Sequence, residues 1–194
     1  MMADLKRVFG PAILVLALGA GAAQARECKG VSFADQIQVE GTTLALNGLG
    51  LRQATVFKVN VYVAALYVAK TSNDPEALLG GGTSSVMILH FVRDVAAGDL
   101  RKGWSAGFEK NARDQLPALQ ERIAILNGWM ADVKAGDRLT FTYKPGAGVQ
   151  VDANGVVKGT VKGEDFAKAF LSIWLGAEPP NSGIKAGLLG GSCG

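Results

Sequence analysis

The stretch "GLGLRQATVFKVNVYVAALYVAK", Gly48 to Lys70, decides how the fold is read. Its middle alternates with a period of two, the spacing that sends successive side chains to opposite faces of a strand. Phe57, Val59, Val61 and Val63 fall on one face; Lys58, Asn60 and Tyr62 fall on the other, with Arg52 just ahead. The pattern predicts a long strand from about Ala54 to Ala69, entered through a glycine-punctuated bend at "GLGLR". A strand with one apolar face and a cation, an amide and a phenol on the other has two uses. Either the polar face lies in water, or it lines a pocket with a polar end.

Outward from this strand, "DQIQVE" (Asp35 to Glu40) and "TTLALN" (Thr42 to Asn47) flank Gly41 and read as a tight hairpin. "NDPEALLGGG" supplies Asp74 as N-cap, Pro75 at the first helical position and glycines to end a short helix. "SSVMILHFV", Ser84 to Val92, is a further strand. Leu100, Trp104, Gly107, Phe108 and Ala112 then recur at helical spacing, as do Leu119, Ile123, Leu126 and Met130. "AGDRLTFTY" returns to strand, and "GVQVDANGVVKGTVKG" places two alternating strands around Asn154-Gly155, a strong hairpin signal. A last helix, about Glu164 to Leu175, carries Phe166, Ala169, Phe170, Ile173 and Trp174 on one side, and Pro179 and Pro180 prevent its continuation. Strands, then helices, then a hairpin and a closing helix argue an α+β domain: a mostly antiparallel sheet with helices on one face.

The chain has 194 residues, 48% of them hydrophobic and 19% charged, enough for one domain with a substantial core. A net charge of +3 without a dense basic stripe gives no support for nucleic-acid binding. At the N-terminus, Lys6 and Arg7 precede the apolar run "AILVLALGA" and the small-residue site "AQA". That is the pattern of a secretory signal over residues 1–25, because the run is too short to cross about 30 Å of hydrocarbon. The remaining 26–194 are then expected to form an exported domain with no stable membrane span, in a bacterial periplasm by the style of the signal. An oxidising compartment permits Cys28 and Cys193 to pair, closing a loop for which chain entropy alone gives roughly 4–5 kcal/mol; two separate thiols on the chain ends are the alternative.

Catalytic motifs are sparse. There is no GxSxG, no HxxxH, and "GLGLR" and "LLGGGTSS" match neither a P-loop nor GxGxxG. The single histidine, His90, alternates with Ile88 and Val92 and reads as a strand residue. Two cysteines and one histidine, far apart in sequence, offer no metal-ligand spacing, and no cofactor is expected. The sharpest cluster is Arg52 with Lys58, Asn60 and Tyr62: a guanidinium presents a fixed fork of donors suited to a carboxylate or enolate, and a phenol adds one more.

Three segments, "LNGLGLRQATVFKVNVYVAALYVAK", "MILHFVRDVAAGDLRKGWSAGF" and "FTYKPGAGVQVDANGVVKGTVKGEDFAKAFLSIWLG", together resemble the chalcone isomerase-like family, in its bacterial secreted branch, over roughly residues 31–189. The resemblance implies an open-faced β-sandwich, a large antiparallel sheet with helices against one face. It also implies one of two functions. Plant chalcone isomerases cyclise chalcones with an arginine, a strand threonine and a tyrosine at a helix start. Non-catalytic relatives bind fatty acids, with the arginine and its polar neighbours on the carboxylate. Arg52 matches the arginine, the threonine position falls at Tyr62, and the tyrosine position falls near Leu100, with no Tyr or Thr between Ser85 and Thr140 to replace it.

The arginine is kept and the second hydroxyl is lost, so the expectation is a ligand-binding protein for a fatty acid or similar amphipathic carboxylate. Arg52 would meet the head group, Tyr62, Asn60 and Lys58 would assist, and Leu100, Trp104 and Phe108 would supply apolar wall. The rivals are an isomerase (an intramolecular lyase) acting on a chalcone-like, phenolic enone, and a structural envelope protein with a filled core.

Overall fold

A computed structural model describes residues 24–193. The expected signal segment, but for its last residues, lies outside them. Nine strands and five helices follow in the order β1 (Ala25–Cys28), β2 (Val31–Ala34), β3 (Gln36–Val39), β4 (Thr42–Ala54), β5 (Val59–Val68), α1 (Pro75–Leu79), β6 (Ser85–Phe91), α2 (Ala97–Asn111), α3 (Leu116–Gly128), β7 (Arg138–Lys144), β8 (Gly148–Ala153), β9 (Val156–Val161), α4 (Glu164–Leu175) and α5 (Ser182–Leu188). Strands β3 to β9 form one seven-stranded antiparallel sheet in sequence order, and β1 and β2 form a separate ribbon. The α+β class and the sheet with helices on one face are as the sequence indicates.

Three hairpins use the same device. Lys29-Gly30, Glu40-Gly41 and Asn154-Gly155 each place two successive residues at positive φ. That conformation matches the right-handed twist of the flanking strands and favours glycine at the second position. The connection from β4 to β5 is longer, a turn over 55–58 in which Thr55 and Lys58 both take positive φ. This corrects the expected strand start at Ala54. Val56 and Phe57 lie in that turn, 89% and 84% exposed, and belong to neither face of the strand.

Strand β5 is buried on both faces. Tyr62, Ala64, Leu66 and Val68 join the core under the helices. Val63, Ala65 and Tyr67 join a second core with Leu44, Leu49 and the ribbon residues Cys28, Val31 and Phe33. The ribbon is fastened by the Tyr67 hydroxyl, which donates to the Ala34 carbonyl at 2.8 Å, and by a disulfide between Cys28 and Cys193.

"GLGLR" is strand, not bend: it is the middle of β4. Its glycines face α5. A Cβ on Gly48 would lie 2.1 Å from the Gly187 carbonyl oxygen, and one on Gly50 would lie 2.4 Å from that of Ile184. The missing side chains let a helix rest directly on a strand backbone. Asn47, at the bulge before Gly48, locks the contact: its amide donates to the carbonyls of Leu188 (2.7 Å) and Ser72 (3.0 Å) and accepts from the Ser72 N–H (2.8 Å). On the opposite edge of this layer α2 crosses α4 at Gly107, where a Cβ would fall 2.6 Å from Ile173 Cγ2.

Candidate ligand site

The ladder between β4 and β5 slips once near their shared turn. Arg52 pairs with Tyr62, yet Gln53 pairs with Asn60, so Val61 is an extra residue on β5. Such a bulge bends the strand and re-aims its side chains. Here it turns Arg52 and Tyr62 together toward the helices and sends Asn60 away, where it accepts a hydrogen bond from Gln53 Nε2 at 3.0 Å. Asn181 covers the slip: its Oδ1 accepts from the Gln53 N–H (3.1 Å) and its Nδ2 donates to the Leu51 carbonyl (3.0 Å). The side chain does the work of a missing strand partner and holds the 178–181 segment against the sheet.

Between this bulge, α2 and the C-terminal end of α4 lies a cleft of about 450 Å³, lined by Arg52, Val61, Tyr62, Leu100, Trp104 and Pro180 among others. Its wall is rich in donors. The Arg52 guanidinium donates to the carbonyls of Gln53 and Pro180 (the latter at 3.2 Å); among the described residues it has no carboxylate partner. The Tyr62 hydroxyl accepts from Trp174 Nε1 at 3.0 Å and donates to no described residue. Burial pushes its pKa up to about 12, against the opposing pull of the Trp174 hydrogen bond and the Arg52 charge, so it is a neutral donor at any physiological pH. The Trp104 indole N–H is buried without a partner. Of the carboxylates at the rim, Asp94 is engaged by Lys134 at 2.9 Å and Asp99 by Lys102 at 3.6 Å; Glu178 is not in an ion pair among the described residues.

Three cations (Arg52, Arg93 and Lys110) line the cleft with no ion pair among the described residues, beside a phenol with an unused O–H and a tryptophan whose buried N–H is unpartnered; such a lining suits an acceptor that carries negative charge. Tyr62 is the only hydroxyl among the described lining residues, and no histidine lines the cleft. At Leu100, where the family resemblance places a tyrosine, an apolar side chain lines the wall. His90 sits on β6 with its Nδ1 accepting from Arg138 Nε at 3.1 Å.

Of the residues singled out from the sequence, Arg52, Tyr62, Leu100 and Trp104 meet at this cleft. Lys58 lies in the exposed turn, and Asn60 faces the other way because the bulge at Val61 inverts the alternation beyond it. Phe108 is fully buried beneath the cleft, packed on Phe166 and Phe170 at 5.7 and 6.2 Å between ring centroids. Trp174 and Asn181 were not foreseen as parts of the site. Trp174 carried only a core signal; Asn181 carried one weak cue, a helix-start residue type just after two prolines.

Comparison with known proteins places the geometry in context. The family model described as chalcone isomerase-like matches residues 25–190. Among solved structures, a fatty-acid binding protein of Arabidopsis thaliana superposes with a TM-score of 0.66 at 17% identity, covering 86% of this chain and 96% of that one. At that identity the likeness shows the fold alone. A search of curated proteins found no match.

Proposed function

This chain belongs to the chalcone isomerase-like family, and from that premise we propose that it is a non-catalytic carrier of a fatty acid or similar amphipathic carboxylate, working in an exported, oxidising compartment. The observation that carries the reading is the Arg52 guanidinium, without a carboxylate partner among the described residues, beside the unspent Tyr62 O–H and the unpartnered Trp104 N–H of the same cleft wall. Arg52 would pair with the head group and Tyr62 would donate to the same carboxylate, while Leu100 and Trp104 would flank the alkyl chain. Burial of chain is worth about 0.8 kcal/mol per methylene, so one anchored carboxylate suffices for useful affinity. The solved relative described as a fatty-acid binding protein supports the ligand class. The Cys28–Cys193 bridge supports the compartment, as does the signal-like N-terminal segment.

Calorimetric titration of the delipidated protein with laurate tests the reading. A hydrogen-bonded charged group contributes about 1.5–3 kcal/mol, so Arg52→Ala should weaken binding roughly 10- to 100-fold with the thermal transition intact, and Arg52→Lys should recover only part of it. Unchanged affinity in Arg52→Ala would overturn the site. Turnover of a model chalcone above the buffer rate, abolished by Arg52→Ala, would replace the carrier reading with the isomerase one.

A further inference from the structure

A second cleft, of about 510 Å³, opens at the far end of the sheet between α1, the N-terminal half of α4 and strands β5 to β8. This volume lies within the range of about 300–1,000 Å³ common to small-molecule sites. Its floor is apolar, formed by Val68, Met87, Phe141, Val149 and Phe170, and no residue lines both clefts. Trp104 of the first cleft packs on Phe141 and Phe170 of the second at 6.0 and 6.1 Å between ring centroids. A single aromatic layer therefore separates two independent cavities.

The second cleft holds an unanswered donor of its own. Tyr143 is 9% exposed, and its hydroxyl is buried with no hydrogen-bond partner among the described residues. Its oxygen lies 3.5 Å from where a Cβ on Gly81 would sit, so the phenol ends directly beneath the glycine loop that rims the cleft. Gly81 and Gly82 both take positive φ (73° and 83°), a conformation that keeps this roof free of side chains. The loop is the "LLGGGTSS" that matches no nucleotide motif. Charge at the rim adds to the pattern. Lys70 and Lys168 line it with no ion pair among the described residues, whereas Asp165 is committed to Arg122 through two bonds of 2.6 and 2.7 Å, leaving Glu164 as the one opposing carboxylate.

We propose that this far cleft is a second binding site, for a compact amphipathic anion. Its apolar body lies on the Phe141–Phe170 floor, and its acidic end accepts from the Tyr143 hydroxyl beneath the glycine loop, with Lys70 and Lys168 supplying the positive field. The site stands apart from the carrier reading, since it shares no lining residue with the Arg52 cleft. An aromatic sulfonate matches it better than a long alkyl chain, because its ring suits the Phe141 and Phe170 floor and the aromatic layer closes the cleft off from its neighbour.

Fluorescence titration with anilinonaphthalene sulfonate tests it on the delipidated full-length domain, alone and with laurate present. Binding to the wild type that laurate does not displace is expected. Tyr143→Phe should weaken this event roughly fivefold, the weight of one neutral hydrogen bond. Lys168→Glu, at an exposed position that does not threaten the fold, should weaken it and lessen its salt dependence. Arg52→Ala should leave it unchanged, so loss of laurate binding and loss of this site are read separately. No laurate-resistant event, or one indifferent to both Tyr143→Phe and Lys168→Glu, would overturn the proposal.

Discussion

At the scale of single residues, Tyr62 holds the sharpest consequence of the bulge. Its phenol is buried beside Arg52, edge-on to Phe91 at 5.5 Å between centroids, and its pKa rises to about 12 from an ordinary 10. A folded-state pKa above the unfolded value means that stability is complete below pH 10 and is lost as pH climbs toward 12. At about 1.4 kcal/mol per pH unit, Tyr62 accounts for roughly 3 kcal/mol of alkaline destabilisation at most. Urea unfolding at pH 9 and near pH 12 should show a smaller difference for Tyr62→Phe than for the wild type; equal differences would mean that the phenol is not buried as described. Arg52 and Tyr62 were legible in the sequence because a guanidinium and a phenol beside an apolar strand are few and conspicuous. Asn60 and Lys58 were misplaced for two reasons: the extra residue at Val61 breaks the ladder that alternation assumes and turns Asn60 away, and the positive-φ turn over 55–58 takes Lys58 out of the strand altogether.

At the scale of elements, β4 shows how one residue type carries two meanings. Glycine in a strand signals either a bend or a close approach of another backbone, and only the partner decides. For Gly48 and Gly50 the partner is α5, a short helix whose own glycines, Gly183 and Gly187, weaken its sequence signal, so that neither half of the contact was legible alone. The consequence is testable. Gly50→Val would drive Cβ into the Ile184 carbonyl, with no flexible side-chain end to give way. Overpacking typically costs 1–3 kcal/mol, and about 3 kcal/mol is expected here, seen as a lowered denaturation midpoint. Gly98→Val, at an open position on α2, is the control: valine exceeds glycine in helix propensity, so stability should be unchanged or rise by a few tenths of a kcal/mol, on the order of the propensity difference. Equal losses in the two variants would contradict the strand–helix contact. By contrast α4 and the Asn154-Gly155 hairpin were read correctly, because a strong apolar stripe and a turn dipeptide are local signals that no distant partner can reverse.

At the scale of the whole molecule, a meandering sheet has one face under the helices and the other against a two-stranded ribbon, and the Cys28–Cys193 bridge joins the ribbon to the segment after α5 across 165 residues. Pairing of the two cysteines was legible from their placement near the two ends of the stretch 26–194; the ribbon it anchors was not, because four-residue strands carry too little pattern. Reducing the bridge, or the double change Cys28→Ser with Cys193→Ser, should remove about 2–5 kcal/mol of stability. An unshifted unfolding curve under reductant would show that the ends add nothing. The same architecture leaves the Arg52 cleft and the Tyr143 cleft at opposite ends of one core, divided by Trp104, Phe141 and Phe170. The account's central claim is that the first of these holds a carboxylate on Arg52. The most direct measurement is mass spectrometry of the organic extract from gently purified native protein and from Arg52→Ala, each exported to a periplasm. The account predicts a stoichiometric fatty acid in the native extract and its loss from the variant; the same acid at the same stoichiometry in both, or none in either, would contradict it.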